Sequence, residues 1–218
     1  MSSFWEEKYQ SIGTLWQFKS AESTRFTRDL FLEFGIRKIL IPGVGYGRNA
    51  RLFVESGFDV TGIEIAETAI LLARENGLEF PIYHGSVAQM PFDDTIYDGI
   101  YCYALIHLLN QNERRQFLTS CYNQLGAGRI MVFVMVSKGY TKLYGNGKQI
   151  SKDRFLIQKG LEVFFYDSAS IENEFSPFGL VEYSEIDEPV KHLENEEPMK
   201  FWMVVCRKNG DQPKKLAS

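Results

Sequence analysis

Three glycines at alternate positions, Gly43, Gly45 and Gly47, stand where one periodicity of the chain gives way to another. Before them, Ile36 to Ile41 is a short, mostly apolar run that reads as a buried strand, and after them Arg48 to Ser56 reads as a helix closed by Gly57. Glycine lets the backbone turn sharply and lets a ligand approach it closely, while the following helix brings N–H groups and the positive end of its dipole. Strand, glycine bend and helix together predict a site for a nucleotide-like ligand, with backbone amides turned toward it. The same bend can also be a plain tight connection, so its neighbours decide between the two.

Those neighbours repeat the alternation. Asp59 to Glu64 reads as a strand, Glu67 to Asn76 as a helix closed by Gly77, and Phe80 to His84 and Tyr97 to Tyr103 as further strands. Phe117, Cys121 and Leu125 form an i, i+4, i+8 stripe on a helix with Asn110 and Glu113 suited to its N-cap and N3 positions, and Gly126 suited to end it. Arg129 to Val136 is almost continuously apolar, which predicts a central parallel strand covered on both faces. Ser137 to Tyr166 is rich in glycine and aromatics and reads as irregular. A helix from Ser168 to Phe175 and strands at Leu180 to Ile186 and Lys200 to Cys206 follow, with the acidic stretch Asp187 to Glu197 as a solvated hairpin loop. The expectation is an α/β, doubly wound, mostly parallel sheet with an antiparallel C-terminal edge hairpin. Residues 1–208 are expected as one domain: a helical lid over 1–34, a core over 35–137, a loop and hairpin over 138–208, then a frayed tail over 209–218.

Composition sets the limits. The 218 residues include 17 Phe, 11 Tyr and 3 Trp, ample bulk for a core and incompatible with a disordered chain. With 24 Lys+Arg against 28 Asp+Glu, the net charge of -4 carries no footprint for nucleic acid or an anionic membrane. Apolar stretches are of strand length, short of a bilayer span, and the acidic residues near the N-terminus do not suit a signal peptide. Cys102, Cys121 and Cys206 are odd in number and lack zinc or redox spacing, which fits a reducing cytoplasm.

Glu64 ends the second strand, 21 residues after Gly43, where a carboxylate can accept from both hydroxyls of a ribose. A dinucleotide fingerprint, Gly-x-Gly-x-x-Gly, would place glycine at position 48, which is Arg48. The pattern present is Gly-x-Gly-x-Gly, and from about Ile39 to Val136 the chain resembles the class I S-adenosylmethionine-dependent methyltransferases. Blocks match in order: Pro42-Gly-Val-Gly-Tyr-Gly47, Val60-Thr-Gly-Ile-Glu-Ile65, His84-Gly-Ser-Val-Ala-Gln-Met-Pro-Phe92, Tyr97 to Leu108, and Gln124 to Ile130. Pro42-Gly43, where many members carry an acid at the proline position, is similar to the thiopurine and halide branch. Phe4-Trp-Glu-Glu-Lys-Tyr9 is similar to the start of tellurite-resistance-type enzymes. Ser86 stands where members commonly have Asp.

The resemblance implies a Rossmann-like seven-stranded sheet and a methyl donor, S-adenosylmethionine. It implies cofactor contacts from Pro42, Gly43, Val44, Gly45, Gly47 and Asn49 at the bend, Glu64 and Ile65 at the ribose, and Ser86, Val87 and Ala88 on the adenine side, with Cys102 and Tyr103 facing the donor. His107 is the candidate base or acceptor-orienting group, and equally a histidine bonded at the start of a short helix. Tyr103 either meets the cofactor or packs in the core. Tyr9, Trp16, Tyr140 and Tyr144 are expected to line an aromatic acceptor pocket. His192 to Glu196 reads as a solvated loop, and no metal is assigned. The implied activity is methyl transfer to a small-molecule acceptor, with a non-catalytic S-adenosylmethionine-binding protein as the alternative.

Overall fold

A computed structural model describes residues 2–14, 19–158, 160–188 and 198–210. Two helices, α1 (Ser2–Ile12) and α2 (Glu22–Glu33), precede the alternating series β1 (Lys38–Pro42), α3 (Ala50–Glu55), β2 (Asp59–Glu64), α4 (Glu67–Glu75), β3 (Ile82–His84), β4 (Tyr97–Tyr103), α5 (Gln111–Gln124) and β5 (Leu125–Val136). Three short strands follow, β6 (Lys148–Ser151), β7 (Arg154–Gln158) and β8 (Leu161–Phe164), then α6 (Ser168–Phe175), β9 (Leu180–Glu188) and β10 (Met199–Arg207). Seven strands make one sheet in the order β3-β2-β1-β4-β5-β10-β9. The pairs from β3 through β5 are parallel, and β10 runs antiparallel to both β5 and β9. This is the Rossmann-like sheet with its antiparallel edge hairpin.

The sequence of β5 shows why it is central. Ile130, Val132, Val134 and Val136 belong to the core that holds Phe31 of α2 and Phe53 of α3, while Met131, Phe133 and Met135 pack with Phe117 of α5 and Phe175 of α6. Because helices cover both faces, every position can be apolar. At the start of α5, Asn110 Oδ1 accepts from the Glu113 N–H (3.0 Å) and Glu113 accepts from the Asn110 N–H (2.8 Å), the reciprocal cap expected from the sequence.

Two expectations need correction. Gly126 does not end α5: the helix stops at Gln124, and Leu125 already pairs with Tyr97 of β4 before the register shifts, so β5 starts four residues earlier than its apolar run. Residues 148–164, expected to be irregular, form a separate antiparallel sheet, β6-β7-β8. This small sheet is pinned to the main one. Arg154 of β7 donates to the carbonyls of Leu109 (2.6 Å) and Leu108 (3.2 Å), at the end of a single 3₁₀ turn, Ile106–Leu108, that follows β4. Arg114 of α5 donates to the same Leu109 carbonyl and forms an ion pair of 2.6 Å with Glu174 of α6. The turn that prolongs β4 is therefore held from both sides by arginines. The expected hairpin loop beyond Glu188 and the tail from residue 211 lie outside the described residues.

Candidate functional site

The strand order reverses between β1 and β4, and the crevice beyond the strand ends at such a point is where open α/β sheets bind ligands. A cleft of about 190 Å³ lies there, floored by the glycine bend and reaching Glu64 at the end of β2, Ser86 after β3 and Tyr103 at the end of β4.

Four amides of the bend are engaged within the protein. Gly43 and Val44 both donate to the Ile63 carbonyl (2.8 and 3.0 Å), Gly45 donates to Glu64 Oε2 (2.8 Å), and Gly47 to the Val44 carbonyl (3.1 Å). These four hydrogen bonds tie the bend to the neighbouring strand and to itself, so the expectation of ligand-facing amides does not extend to Gly43, Val44, Gly45 and Gly47. What it offers instead is bare Cα surface. A Cβ on Gly43 would come within 2.9 Å of Leu105, one on Gly45 within 3.0 Å of the Tyr9 hydroxyl, and both residues have positive φ (68° and 59°). Side chains here would fill the cleft and strain the backbone.

Glu64 is the hub. Besides Gly45, it accepts at Oε1 from the Ile65 and Ala66 N–H groups, both at 2.9 Å, and is only 6% exposed. Burial pushes its carboxyl above the usual range, and the three amides pull it back toward the charged form. A carboxylate has about four acceptor sites, so a lone pair remains for a ligand hydroxyl. This arrangement discriminates between ligands. An uncharged sugar diol finds an acceptor at Glu64, while the Gly43, Val44, Gly45 and Gly47 amides are already committed and do not cradle a phosphate.

Val44, Asn49, Ile65, Ser86, Val87, Tyr103 and Tyr9 also line the cleft. Asn49 Oδ1 accepts from the Ala21 N–H (3.0 Å), tying the start of α2 to the bend. Ser86 Oγ accepts from the Ala88 N–H (3.3 Å), which caps the short turn Val87–Gln89 and leaves the hydroxyl proton available to an adenine ring. Tyr9 lies in the α1 helix, which Glu6 joins to the N-terminus of α4 through Thr68 (Oγ1 at 2.5 Å, N–H at 3.3 Å).

Other expected residues are not brought to the cleft. Pro42, Gly47, Ala88 and Cys102 are absent from its lining. A Cβ on Gly47 would strike Leu78 at 2.3 Å, so this glycine serves close helix packing. Cys102 is fully buried on the opposite face of β4, where burial pushes its thiol up to about 12. Tyr144 turns to Asp153 (3.0 Å) and packs on Phe155 and Phe165, and Tyr140 packs against the same core. Trp16 and His192 to Glu196 lie outside the described residues.

His107 also lies off the lining. Its Nδ1 accepts the Val136 N–H (3.3 Å), the atom a base would need, and burial, with the Arg154 charge adding to it, lowers its pKa to about 3. It is a neutral imidazole joining the 3₁₀ turn to β5. In its place the structure supplies lining residues that sequence reading missed: Trp5 of α1, Leu105, Leu108 and Leu109 around the 3₁₀ turn, Met199 and Phe201 of β10, and two charged groups, Arg48 and Glu188. Tyr103 stacks on Phe201 with ring centres 5.9 Å apart.

The lining fits S-adenosylmethionine. A buried acid with a spare acceptor site, the Ser86 hydroxyl and the bare Cα surface of Gly43 and Gly45 are a set that such a nucleoside can use.

Comparisons with known proteins agree. Residues 39–128 match the methyltransferase domain family. No curated protein sequence matches. Among solved structures, the chain is similar to Burkholderia thailandensis 1,6-didemethyltoxoflavin-N1-methyltransferase with bound 1,6-didemethyltoxoflavin and S-adenosylhomocysteine, at 14% identity and TM-score 0.72 over 95% of this chain and 87% of that one. It is similar to the CcbJ methyltransferase from Streptomyces caelestis at 16% identity and TM-score 0.70, covering 96% and 99%. TehB from Haemophilus influenzae follows at 20% identity and TM-score 0.61, covering 83% and 60%. At these identities the likeness is one of fold. Together with the domain match, which spans the bend, β2 and β4, it gives this chain a methyltransferase domain over residues 39–128 and the fold of S-adenosylmethionine-dependent methyltransferases.

Proposed function

We propose that the protein methylates a small molecule by direct displacement. The observation that carries this reading is the continuity of the cleft: one opening joins the Glu64 and glycine-bend side to an apolar, aromatic side made by Leu105, Leu108, Leu109, Met199 and Phe201. S-adenosylmethionine, when bound, supplies a methyl group already activated on a sulfonium, so the protein's task is alignment and exclusion of water. Glu64 holds the ribose, Ser86 and Val87 flank the adenine, and Tyr103 presents its ring beside the reacting carbon. The leucines of the 3₁₀ turn and the β10 side chains seat the acceptor, with Trp5 and Tyr9 of the N-terminal segment closing over it.

The character of that wall supports a small, partly apolar acceptor, since pockets of this kind bury most of their ligand against aliphatic and aromatic groups. One of the similar folds is a small-molecule methyltransferase by name, which accords with this reading. With His107 neutral and its Nδ1 engaged, the acceptor atom is one that attacks without a proton being taken by this residue. Incubation with methyl-labelled S-adenosylmethionine and a metabolite extract should give a labelled low-molecular-weight product by mass spectrometry. Label appearing only in macromolecules, or donor binding without any transfer across the extract, would contradict the proposal, and the latter would favour a non-catalytic binding protein.

A further inference from the structure

The acceptor wall contains an acid that has no part in the methyl transfer proposed above. Glu188 ends β9, directly across the β9–β10 pair from Met199, and lines the cleft together with Met199 and Phe201. It is only 2% exposed, with Oε2 accepting from the Glu22 N–H (3.1 Å) and Oε1 from the Ser23 N–H (2.9 Å) at the start of α2. A carboxylate has about four acceptor sites, so two amides leave about half of them unused. Among the described residues, no lysine, arginine or histidine forms an ion pair with Glu188. Arg48, the cation among the described lining residues, lies elsewhere: its guanidinium carbon is 5.4 Å from the centre of the Tyr103 ring, and Nη1 donates to the Lys19 carbonyl (3.0 Å).

The far side of Glu188 is acidic as well. A second groove, between the start of α2 and β9, shares Glu188 with the cleft, and its lining adds Glu22, Glu182 and Asp187 but, among the described residues, no basic side chain. Asp187 is paired with Lys200 outside that lining. Ser23 lines the same groove and is 4% exposed, yet its hydroxyl has no hydrogen-bond partner within the protein. A buried acid with unused acceptor sites and a buried hydroxyl without a partner are both costly until a donor group meets them. Carboxylates gathered on low-dielectric walls also concentrate cations and repel anions. A protonated amine meets these requirements, since it brings a positive charge and several N–H donors. Beside it, Met199 and Phe201, the latter stacked on Tyr103 with ring centres 5.9 Å apart, offer apolar surface for the body of the molecule. A protonated nitrogen has no lone pair with which to attack, so the methyl group goes to a different atom of the same acceptor.

We propose that the acceptor carries a protonated amine, held by Glu188, at one end of an apolar body that lies against Met199 and Phe201. Glu188 then selects the acceptor, and donor binding is left to Glu64 and the glycine bend. The proposal rests on the small-molecule reading above and narrows it to cationic amines methylated at a second atom.

The test divides a metabolite extract by charge. Material retained at pH 7 by a cation exchanger, material retained by an anion exchanger and the flow-through are each incubated with the full chain and methyl-labelled S-adenosylmethionine. Label should enter a small molecule from the first fraction. Label from the other two alone would overturn the proposal and leave small-molecule methylation standing; no small-molecule label from any fraction would remove that reading and the proposal with it. Glu188→Gln should lower transfer from the cationic fraction about tenfold or more, as expected for a lost charged hydrogen bond, while the affinity for S-adenosylhomocysteine by calorimetry stays within about twofold. Unchanged transfer would overturn the proposal and leave Glu188 as a cap on α2, and an equal loss of S-adenosylhomocysteine affinity would overturn it by giving the acid to the donor. Should Glu188→Gln fail to fold, Met199→Lys decides, because it keeps the cap and sets an ammonium opposite the acid. Transfer from the cationic fraction should fall about tenfold further than in Met199→Gln, which has similar length and no charge; equal losses in the two variants overturn the proposal.

Discussion

The two walls of the cleft are made of different material. On the β1 and β2 side the ligand meets main chain: bare Cα atoms at Gly43 and Gly45, with a single buried acid bonded to three amides. On the side of the 3₁₀ turn and β10 it meets side chains, the leucines at 105, 108 and 109 with Met199 and Phe201. A wall of backbone admits few substitutions, because any added atom either fills the cleft or breaks an internal hydrogen bond. A wall of apolar side chains can change shape while the sheet beneath it stays the same, which suits one fixed donor and a variable acceptor.

The comparison breaks most visibly at Glu64. Glu64→Ala leaves the Gly45, Ile65 and Ala66 amides without their acceptor in a buried place, so we expect a stability loss of about 3 kcal/mol or more in chemical denaturation and an affinity for S-adenosylhomocysteine at least about a hundredfold weaker. Retention of both would show that the acid is not what organises the backbone wall.

Gly43→Ala is the next largest. A positive φ costs a non-glycine residue about 1–2 kcal/mol, and the new Cβ also meets Leu105, so the affinity measured by calorimetry should fall about tenfold. Gly43→Ala with Leu105→Ala should recover part of that loss, because the second change removes the atoms in contact. No recovery would mean that the two walls do not meet at this point.

On the other wall, where the acceptor is proposed to sit, Met199→Ala should leave S-adenosylhomocysteine binding within about twofold. The pattern of labelled products from a metabolite extract should change. An unchanged product pattern together with weakened donor binding would reverse the assignment of the walls.

The smallest effect at neutral pH concerns His107. Its folded-state pKa of about 3 lies below the ordinary value of 6.5. Between those values the unfolded chain binds more protons, so stability is complete above about pH 6.5 and falls as pH is lowered toward 3. Thermal unfolding of His107→Asn should show a shallower loss over that window than wild type, with little change at pH 8. Parallel slopes would contradict the buried, neutral imidazole.

What could be read from the sequence follows the same division. The backbone wall leaves marks in residue type: glycine where a Cβ cannot stand, and an acid at a strand end. The continuous apolar run of β5 likewise announces a strand with both faces covered. The side-chain wall leaves no such marks. Met199, Phe201 and Glu188 come from the far edge of the sheet, and only the antiparallel return of β10 alongside β5 brings them near the cleft. Tyr140 and Tyr144 carry the same apolar surface as a lining residue, yet both pack on the core, Tyr144 against Phe155 and Phe165, beside a small sheet whose strands of four and five residues are short enough to be hidden by their turns. The positive φ at Asp153 (61°) and Gly160 (81°) marks those turns, and the Lys152-Asp153 and Lys159-Gly160 pairs were the available signal. Arg48 stood out only as a broken fingerprint; its reach over Tyr103 is a tertiary fact.

The central claim is that a backbone wall with the Gly43, Val44, Gly45 and Gly47 amides engaged and an acid at its centre takes a sulfonium nucleoside and refuses a dinucleotide. Calorimetric titration of the wild-type chain with S-adenosylhomocysteine and, separately, with NADH tests it most directly. Saturable binding of the first at a single site, abolished in Glu64→Ala, and no heat from the second is the predicted result. No heat from S-adenosylhomocysteine, or tight binding of NADH at the same site, would contradict it.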